Sequence, residues 1–355
     1  MNYKNILVTG GAGFVGSNIC IKLKNYFSNI DVFALDNLTR KGSKLNVPRL
    51  EKNGVKFMYG DVRNKKDLEI KDSDLIIECS AEPSVMAGVS SSPNYLVSTN
   101  LVGALNCFEL ARKTNCDIVF LSTSRVYPVH LLNNIKYKDG STRFEILNSQ
   151  NIDGVSKEGI SEEFPLTGNR TLYGATKLSA EFVLMEYINN YGMKGIINRC
   201  GLITGPWQMG KVDQGIIALW MARHIFEKSL SFIGFGGEGK QVRDVLDIDD
   251  LFDLLAIQLS DVKKYSGHIF NVGGGKENSV SLLELTKFCQ ALSGNKVSIS
   301  NDPKTRQGDI RIYISDNSKI RKLSSWKPKK TLEKTLDEVY KWIVDYKKEL
   351  KPILS

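Results

Sequence analysis

Histidine is scarce: His130, His224 and His268 are the only three in 355 residues. No spacing among them suits a shared ligand set, so no metal centre is expected. His224 lies in an apolar helical run and reads as a packing or surface residue. Cysteine pairs of the C-x-x-C type are missing too. Cys20, Cys79, Cys107, Cys116, Cys200 and Cys289 sit mostly inside apolar runs, which suits buried thiols kept reduced rather than a disulfide framework. No apolar run approaches the ~20 residues that cross a bilayer. No charged-then-apolar leader with a cleavage site opens the chain. The expectation is a cytoplasmic protein with no membrane partner. Internal repeats and low-complexity tracts are lacking as well.

A concentrated basic surface is also absent. Lys and Arg number 48 against 39 Asp and Glu, a net charge of +9, yet the cations are dispersed and no basic stripe is interleaved with aromatics. The densest cluster, Lys327, Lys329, Lys330 and Lys334, reads as a solvated face. Nucleic acid is therefore not an expected partner, and the surplus leaves an anionic surface or an acidic small substrate open. What the chain does have is a core: 42% of residues are hydrophobic and 25% charged, ordinary for a globular protein of about two domains or one large one.

The first half alternates short apolar runs with helical segments. Ile6–Val8, Val32–Leu35, Val55–Tyr59, Leu75–Ile77, Ile118–Leu121 and Ile196–Ile197 read as strands. Continuous apolar character suits strands buried on both faces, and helical stretches between them imply parallel pairing. Ligands bind beyond the carboxyl ends of such strands, which singles out Asp36, Asp61, Ser80 and Ser122–Thr123. The polar stretch 128–170 breaks this rhythm and reads as an inserted excursion. Beyond it, Ala175, Leu178, Phe182 and Met185 share one helical face, and Gly192 suits the helix end. Leu332, Leu336, Val339 and Ile343 make a second stripe near the C-terminus.

Gly10, Gly13 and Gly16 lie between a strand and a helix, with Phe14 and Val15 opening the helix. A tight turn and close approach to a pyrophosphate both call for residues without Cβ, and the helix N-terminus offers N–H groups to phosphates. Asp36 ends the second strand, where a carboxylate accepts hydrogen bonds from ribose hydroxyls and repels a 2′-phosphate. NAD is thus the expected cofactor, although Arg40 and Lys41 leave pairing with a 2′-phosphate open. Asp61, with Val62 next to it, suits either an adenine contact or a helix N-cap. Tyr173 and Lys177 form Y-x-x-x-K, one turn apart on one face. A nearby ammonium favours the phenolate form of a tyrosine. Thr123 is placed to hydrogen-bond a reacting sugar hydroxyl.

Thr9–Gly16, Asp36-Asn37-Leu38, Asp61-Val62-Arg63, Ser122-Thr123-Ser124 and Tyr173–Lys177 together resemble the extended short-chain dehydrogenase/reductase family, in particular its nucleotide-sugar epimerases and dehydratases, over nearly the whole length. The resemblance implies an α/β fold, with a Rossmann doubly wound parallel sheet over 1–200, carrying the insert 128–170. It also implies a smaller C-terminal α/β substrate domain over 201–355, partly interleaved with the first. It implies catalysis by Thr123, Tyr173 and Lys177. For NAD it implies contacts from Gly10, Gly13, Phe14, Val15, Gly16, Asp36, Asn37, Asp61, Val62, Ser80, Ala81, Asn100, Ser122 and Arg199, besides Tyr173 and Lys177. It further implies a homodimer or higher homo-oligomer formed through helices that include the one after Tyr173.

The family's 4,6-dehydratases carry Thr-Asp-Glu where this chain has Thr123-Ser124-Arg125. Eliminating water needs an acid and a base at neighbouring carbons, and Arg125 is neither. Epimerisation by transient oxidation is expected instead. The Gly-rich segment 234–245 brings Lys240 and Arg243, and Arg306 matches a family arginine that reaches the nucleotide diphosphate. Gln307 departs from the proline the family has there. Segments around Asn198–Cys200, Gly205–Gln208 and Val212–Gly215 resemble the 2-epimerase branch. Glu82, Ser124, Gln208, Asp213, Gln214, Lys240, Arg243 and Arg306 are thereby implied in binding a nucleotide-sugar substrate, against the plainer reading of the arginines as surface ion pairs. A UDP-sugar 4-epimerase, a net-redox reductase and a non-catalytic dinucleotide or RNA binder remain the alternatives.

Overall fold

The computed structural model describes residues 3–68, 70, 73–89, 91–211 and 214–355. The chain forms two compact units. One is Met1–Thr123 with Leu172–Arg199 and Phe252–Ile269; the other is Ser124–Thr171 with Cys200–Leu251 and Phe270–Ser355. The units interleave along the chain: residues 124–171, which hold the stretch read as an insert, cluster with the second unit, and Phe252–Ile269 with the first.

A seven-stranded sheet runs in the order Ile269–Val272, Gly195–Cys200, Asp117–Thr123, Leu75–Glu78, Asn5–Thr9, Asp31–Asp36, Lys56–Tyr59. Asn5–Thr9 pairs in parallel with both Asp31–Asp36 and Leu75–Glu78. The chain therefore starts mid-sheet and winds outward in both directions, and the reversal lies beside the first strand. That is where a doubly wound sheet opens its ligand crevice. All six expected strands are present. The seventh, Ile269–Val272, escaped the sequence reading because Asn271 interrupts its apolar run. The Asn271 amide is satisfied inside the protein: it accepts from the Tyr127 hydroxyl at 2.8 Å and donates to the Ile160 carbonyl at 2.9 Å.

In the first unit, Leu7, Ile76, Ile118, Phe120 and Ile197 of the sheet pack with Phe108, Ala111, Ala180 and Leu184 of the covering helices. Phe108 meets Phe120 edge-on, ring centroids 5.5 Å apart. The helix Leu172–Tyr191 ends as expected before Gly192, which takes the left-handed conformation at φ 65°. Its apolar stripe departs from expectation. Leu178 is buried, but Phe182 is 56% exposed and its neighbour Glu181 is fully buried. A carboxylate displaces an aromatic from the interior here because partners for it are built in, as described below.

In the second unit, 128–170 is more structured than its weak periodicity indicates. It holds the short helix Val129–Asn133 and two hairpins, Tyr137–Asp139 with Phe144–Ile146 and Val155–Ser156 with Gly159–Ile160. Phe144 packs on Val242, Ile312 and Ile314. Arg143 grips Glu284, the acidic member of a capping box opened by Ser281 on the helix Leu282–Ser293. The stripe Leu332, Leu336, Val339 and Ile343 on the helix Leu332–Asp345 is buried as expected. Five of the six cysteines are buried and Cys79 is half-buried. Among the described residues no helix is long and apolar enough to cross a membrane.

Candidate active site

The turn after the first strand admits almost no side chain. Gly10 is left-handed, with φ 62°. A Cβ on Gly16 would lie 2.2 Å from the Gly10 carbonyl oxygen, and one on Gly11 would lie 2.6 Å from the Cα of Ala34. Both contacts are with rigid neighbours. Gly13 caps the helix Phe14–Tyr26 from an extended conformation with no side-chain cap, so the cap itself leaves amides at the helix start for an acceptor from outside. A cradle of this shape at a helix N-terminus fits a pyrophosphate.

Asp36 closes the same turn. Its carboxylate accepts from the Ala12 amide at 3.1 Å and from the Leu38 amide at 2.7 Å. Burial pushes the Asp36 carboxyl above its ordinary range, the amides of Leu38, Ala12 and Gly13 pull it down, and Asp61 adds a smaller upward push. A carboxyl raised in this way loses its charge at a higher pH than an exposed aspartate does. NAD affinity is therefore expected to fall as pH drops into the mildly acidic range. Asp36→Asn should weaken binding at neutral pH by about 10–100-fold and flatten that pH dependence. Titration of NAD by intrinsic fluorescence between pH 5 and 8 checks this; an equally steep pH dependence in the variant rules out Asp36 as the titrating group.

Asp61 accepts from the Arg63 amide through its carboxylate at 2.9 Å, the kind of bond a capping side chain makes. It accepts from Asn37 at 2.8 Å and forms an ion pair with Arg63 at 2.6 Å, and chiefly the Arg63 hydrogen bond holds its carboxyl down at about 2. Asn37 and Asp61 thus make one fixed polar wall. Val62 is buried against Gly103, where a Cβ would approach it to 2.6 Å. Ser80 and Ala81 follow the fourth strand of the chain. Glu82 and Asn100 bond reciprocally, Glu82 amide to Asn100 Oδ1 at 2.8 Å and Asn100 Nδ2 to the Glu82 carbonyl at 3.0 Å. Asn100 sits in a π-helical turn, Ser98–Val102, a distortion often met at functional sites. Arg40 feels the charge of Glu82.

The helix Leu172–Tyr191 delivers Tyr173 from its first turn and Lys177 one turn on. Tyr173 is 9% exposed, and Ser122, Thr123 and Ser124 are likewise buried. The Lys177 ammonium lies 3.5 Å from Glu78 Oε2 and 3.9 Å from the centroid of the Phe120 ring. Burial pushes the Glu78 carboxyl up, against the pull of Lys177. One turn beyond Lys177, Glu181 accepts from the Ser122 hydroxyl and from Arg199, whose Nη2 is 2.7 Å away. Arg199, implied above as a cofactor contact, directs its Nε and Nη2 at Glu181. Glu78 and Glu181 were missed in the sequence. The signal was there for Glu181, which continues the Tyr173, Lys177 line by another four residues. An acid in a fully buried position must be paired.

The second unit holds the remaining candidates. Arg243 donates to the carbonyls of Val242 and Ile310, both at 2.7 Å. Arg306 pairs with Asp309 at 3.0 Å. Lys240 pairs with Asp139 at 2.9 Å and Glu238 at 2.8 Å, so the hairpin at 137–146 engages the Gly-rich segment. Gln208 donates to the Ile203 carbonyl and accepts from Thr204, each at 2.8 Å. Gln214 keeps its Oε1 buried with no hydrogen-bond partner among the described residues, an acceptor able to meet a ligand. Asp213 lies outside the described residues. His224 is wholly buried, with Nδ1 2.8 Å from the Trp220 carbonyl; packing, not chemistry, accounts for it.

The pattern of the NAD dependent epimerase/dehydratase family matches residues 6–273. The chain is 31% identical over 346 residues to CDP-paratose 2-epimerase of Salmonella typhi, covering 95% of this chain and 98% of that one. Two solved structures are similar throughout. UDP-glucuronic acid 4-epimerase from Bacillus cereus, in complex with UDP-glucuronic acid and NAD, has a TM-score of 0.78 at 25% identity and covers 96% of this chain and 99% of its own. The dTDP-glucose 4,6-dehydratase from Bacillus anthracis str. Ames, in complex with NAD, has a TM-score of 0.76 at 26% identity and covers 99% of each chain. Since the family match takes in both the glycine turn and the helix that carries Tyr173 and Lys177, the chain belongs to the NAD dependent epimerase/dehydratase family.

Proposed function

We propose that this chain is a nucleotide-sugar epimerase that oxidises one sugar carbon transiently and reduces it again from the opposite face, with C2 of CDP-paratose or a related nucleotide sugar as its target. The observation that carries this reading is the end of the strand Asp117–Thr123: Thr123 is followed by Ser124 and Arg125, not by the Asp-Glu pair that a 4,6-elimination uses. The likeness to CDP-paratose 2-epimerase supports the choice of carbon and nucleotide.

NAD, when bound, supplies the hydride acceptor for oxidation and the donor for the return. The glycine turn, Asp36 and the Asn37–Asp61 wall hold it. Tyr173 takes the proton of the sugar hydroxyl during oxidation and restores it during reduction. Lys177 favours that transfer with its positive charge. Thr123 hydrogen-bonds the same hydroxyl and fixes its direction toward Tyr173. Ser124, Gln208 and Gln214 recognise the sugar and base, and Arg243 with Arg306 binds the diphosphate in planar forks. The keto sugar turns within the site between the two half-reactions.

Because the cofactor is restored in each cycle, the reaction needs no added NADH and releases none. Incubation with CDP-paratose, and in parallel with UDP-glucose and UDP-glucuronate, is expected to give a C2 epimer by NMR with flat absorbance at 340 nm. NADH accumulating in step with product would overturn the epimerase reading; an epimer formed only from a UDP-sugar at C4 would move the target.

A further inference from the structure

Arg125 is unexplained by the reaction as described. It follows Ser124 on a short helical turn, half-buried, and its Nη1 donates to the Gly308 carbonyl at 3.0 Å. Arg243 donates to the Ile310 carbonyl, two residues along the same segment. Arg306 brackets Asp309 between them. Three guanidiniums therefore converge on the five residues 306–310, and all three are only partly buried. One carboxylate of this segment, Asp309, meets Arg306. Asp244, next to Arg243 in the chain, accepts instead from the amides of Ser315 and Gly275.

Holding like charges together with only partial contact with water is costly. The effect is visible on Arg243, whose guanidinium is pushed down to about 9 by burial first and by Arg125 second, against the upward pull of Asp309 and Asp244. A guanidinium keeps its charge at neutral pH all the same, so an oxyanion seated between Arg125 and Arg243 would offset their repulsion further. Arginine presents its donors in a planar fork that matches the paired oxygens of phosphate and carboxylate.

We propose that Arg125 is a substrate-binding residue that, together with Arg243, grips an oxyanion close to the sugar: the sugar-proximal phosphate of the nucleotide sugar or an acid group carried by the sugar itself. The proposal rests on the nucleotide-sugar reading given above. It assigns the position where dehydratases of the family carry a carboxylate to charge recognition.

Calorimetric titration of the full chain with CMP, CDP, UDP-glucose and UDP-glucuronate, for wild type, Arg125→Gln and Arg125→Lys, tests it. If the proximal phosphate is the ligand, Arg125→Gln weakens CDP about tenfold or more and CMP hardly at all. If a sugar acid is the ligand, CDP and CMP stay as in wild type and UDP-glucuronate loses about tenfold relative to UDP-glucose. Arg125→Lys recovers part of either loss, because the charge remains without the fork. Wild-type affinities for all four ligands in Arg125→Gln overturn the proposal. So does a uniform loss across all four with no recovery in Arg125→Lys, which would confine Arg125 to holding the Gly308 carbonyl. Wild-type protein that binds none of the four overturns the nucleotide-sugar reading itself.

Discussion

Tyr173→Phe is expected to lower kcat by about 10²–10⁴-fold, the range a positioned acid–base group contributes, while leaving NAD binding within about threefold of wild type. The substitution removes one oxygen from a side chain that is already almost fully enclosed, so packing in the first turn of the helix is kept. Only the proton acceptor goes. Lys177 retains its contacts with Glu78 and the Phe120 ring, and the cofactor site keeps its shape. The check pairs epimer formation by NMR with NAD titration on the same preparation. Unchanged turnover in Tyr173→Phe would sink the proposed mechanism. A loss of NAD affinity as large as the loss of rate would make Tyr173 a binding residue instead.

The second large effect concerns stability. Arg199→Met is expected to cost about 3–5 kcal/mol, because it leaves the Glu181 carboxylate buried without its counter-charge. The pair is enclosed on both sides, with side-chain exposures of 2% and 1%. The remaining Ser122 hydroxyl is one donor for two carboxylate oxygens. On the order of 10 °C should be lost from the melting temperature. The double variant Arg199→Met, Glu181→Leu should regain much of that, since a buried ion pair replaced by apolar groups of similar volume is often neutral. Differential scanning calorimetry of the single and double variants decides the matter. A single variant that melts within about 2 °C of wild type would mean that water or a relaxed chain already solvates Glu181.

Much of the first unit could be read in advance, for a physical reason. Strands buried on both faces are written as unbroken apolar runs, and Leu7, Ile76 and Ile118 announce themselves. The glycine turn is legible because only hydrogen fits beside the Gly10 carbonyl. Asp36 is legible because it stands at the end of such a run. The buried acids were not legible. Glu78 and Glu181 are tolerated only because Lys177, Arg199 and Ser122 reach them in space, and those partners come from separate stretches of chain. Phe182 was misplaced on the inner face for the same reason. The hairpins in 128–170 were hidden because each strand is two or three residues long, too short for any periodicity to register. Arg125 stood out in the sequence as a residue that cannot do acid–base work. Its convergence with Arg243 and Arg306 appears only when the segment 306–310 is folded.

Tyr173, Lys177 and Glu181 follow one another at single-turn intervals along one helix. An α-helix turns about 100° per residue, so one residue gained or lost between Tyr173 and Lys177 would swing every later group out of line with the sheet. The exposed positions among these nine, such as Ser179, can exchange side chains, but the nine cannot change in number. The hairpins of 128–170 obey no such count. A residue added to such a loop leaves the helix register untouched, whereas the span from Tyr173 to Glu181 works as a ruler whose length sets where each of its groups meets the sheet.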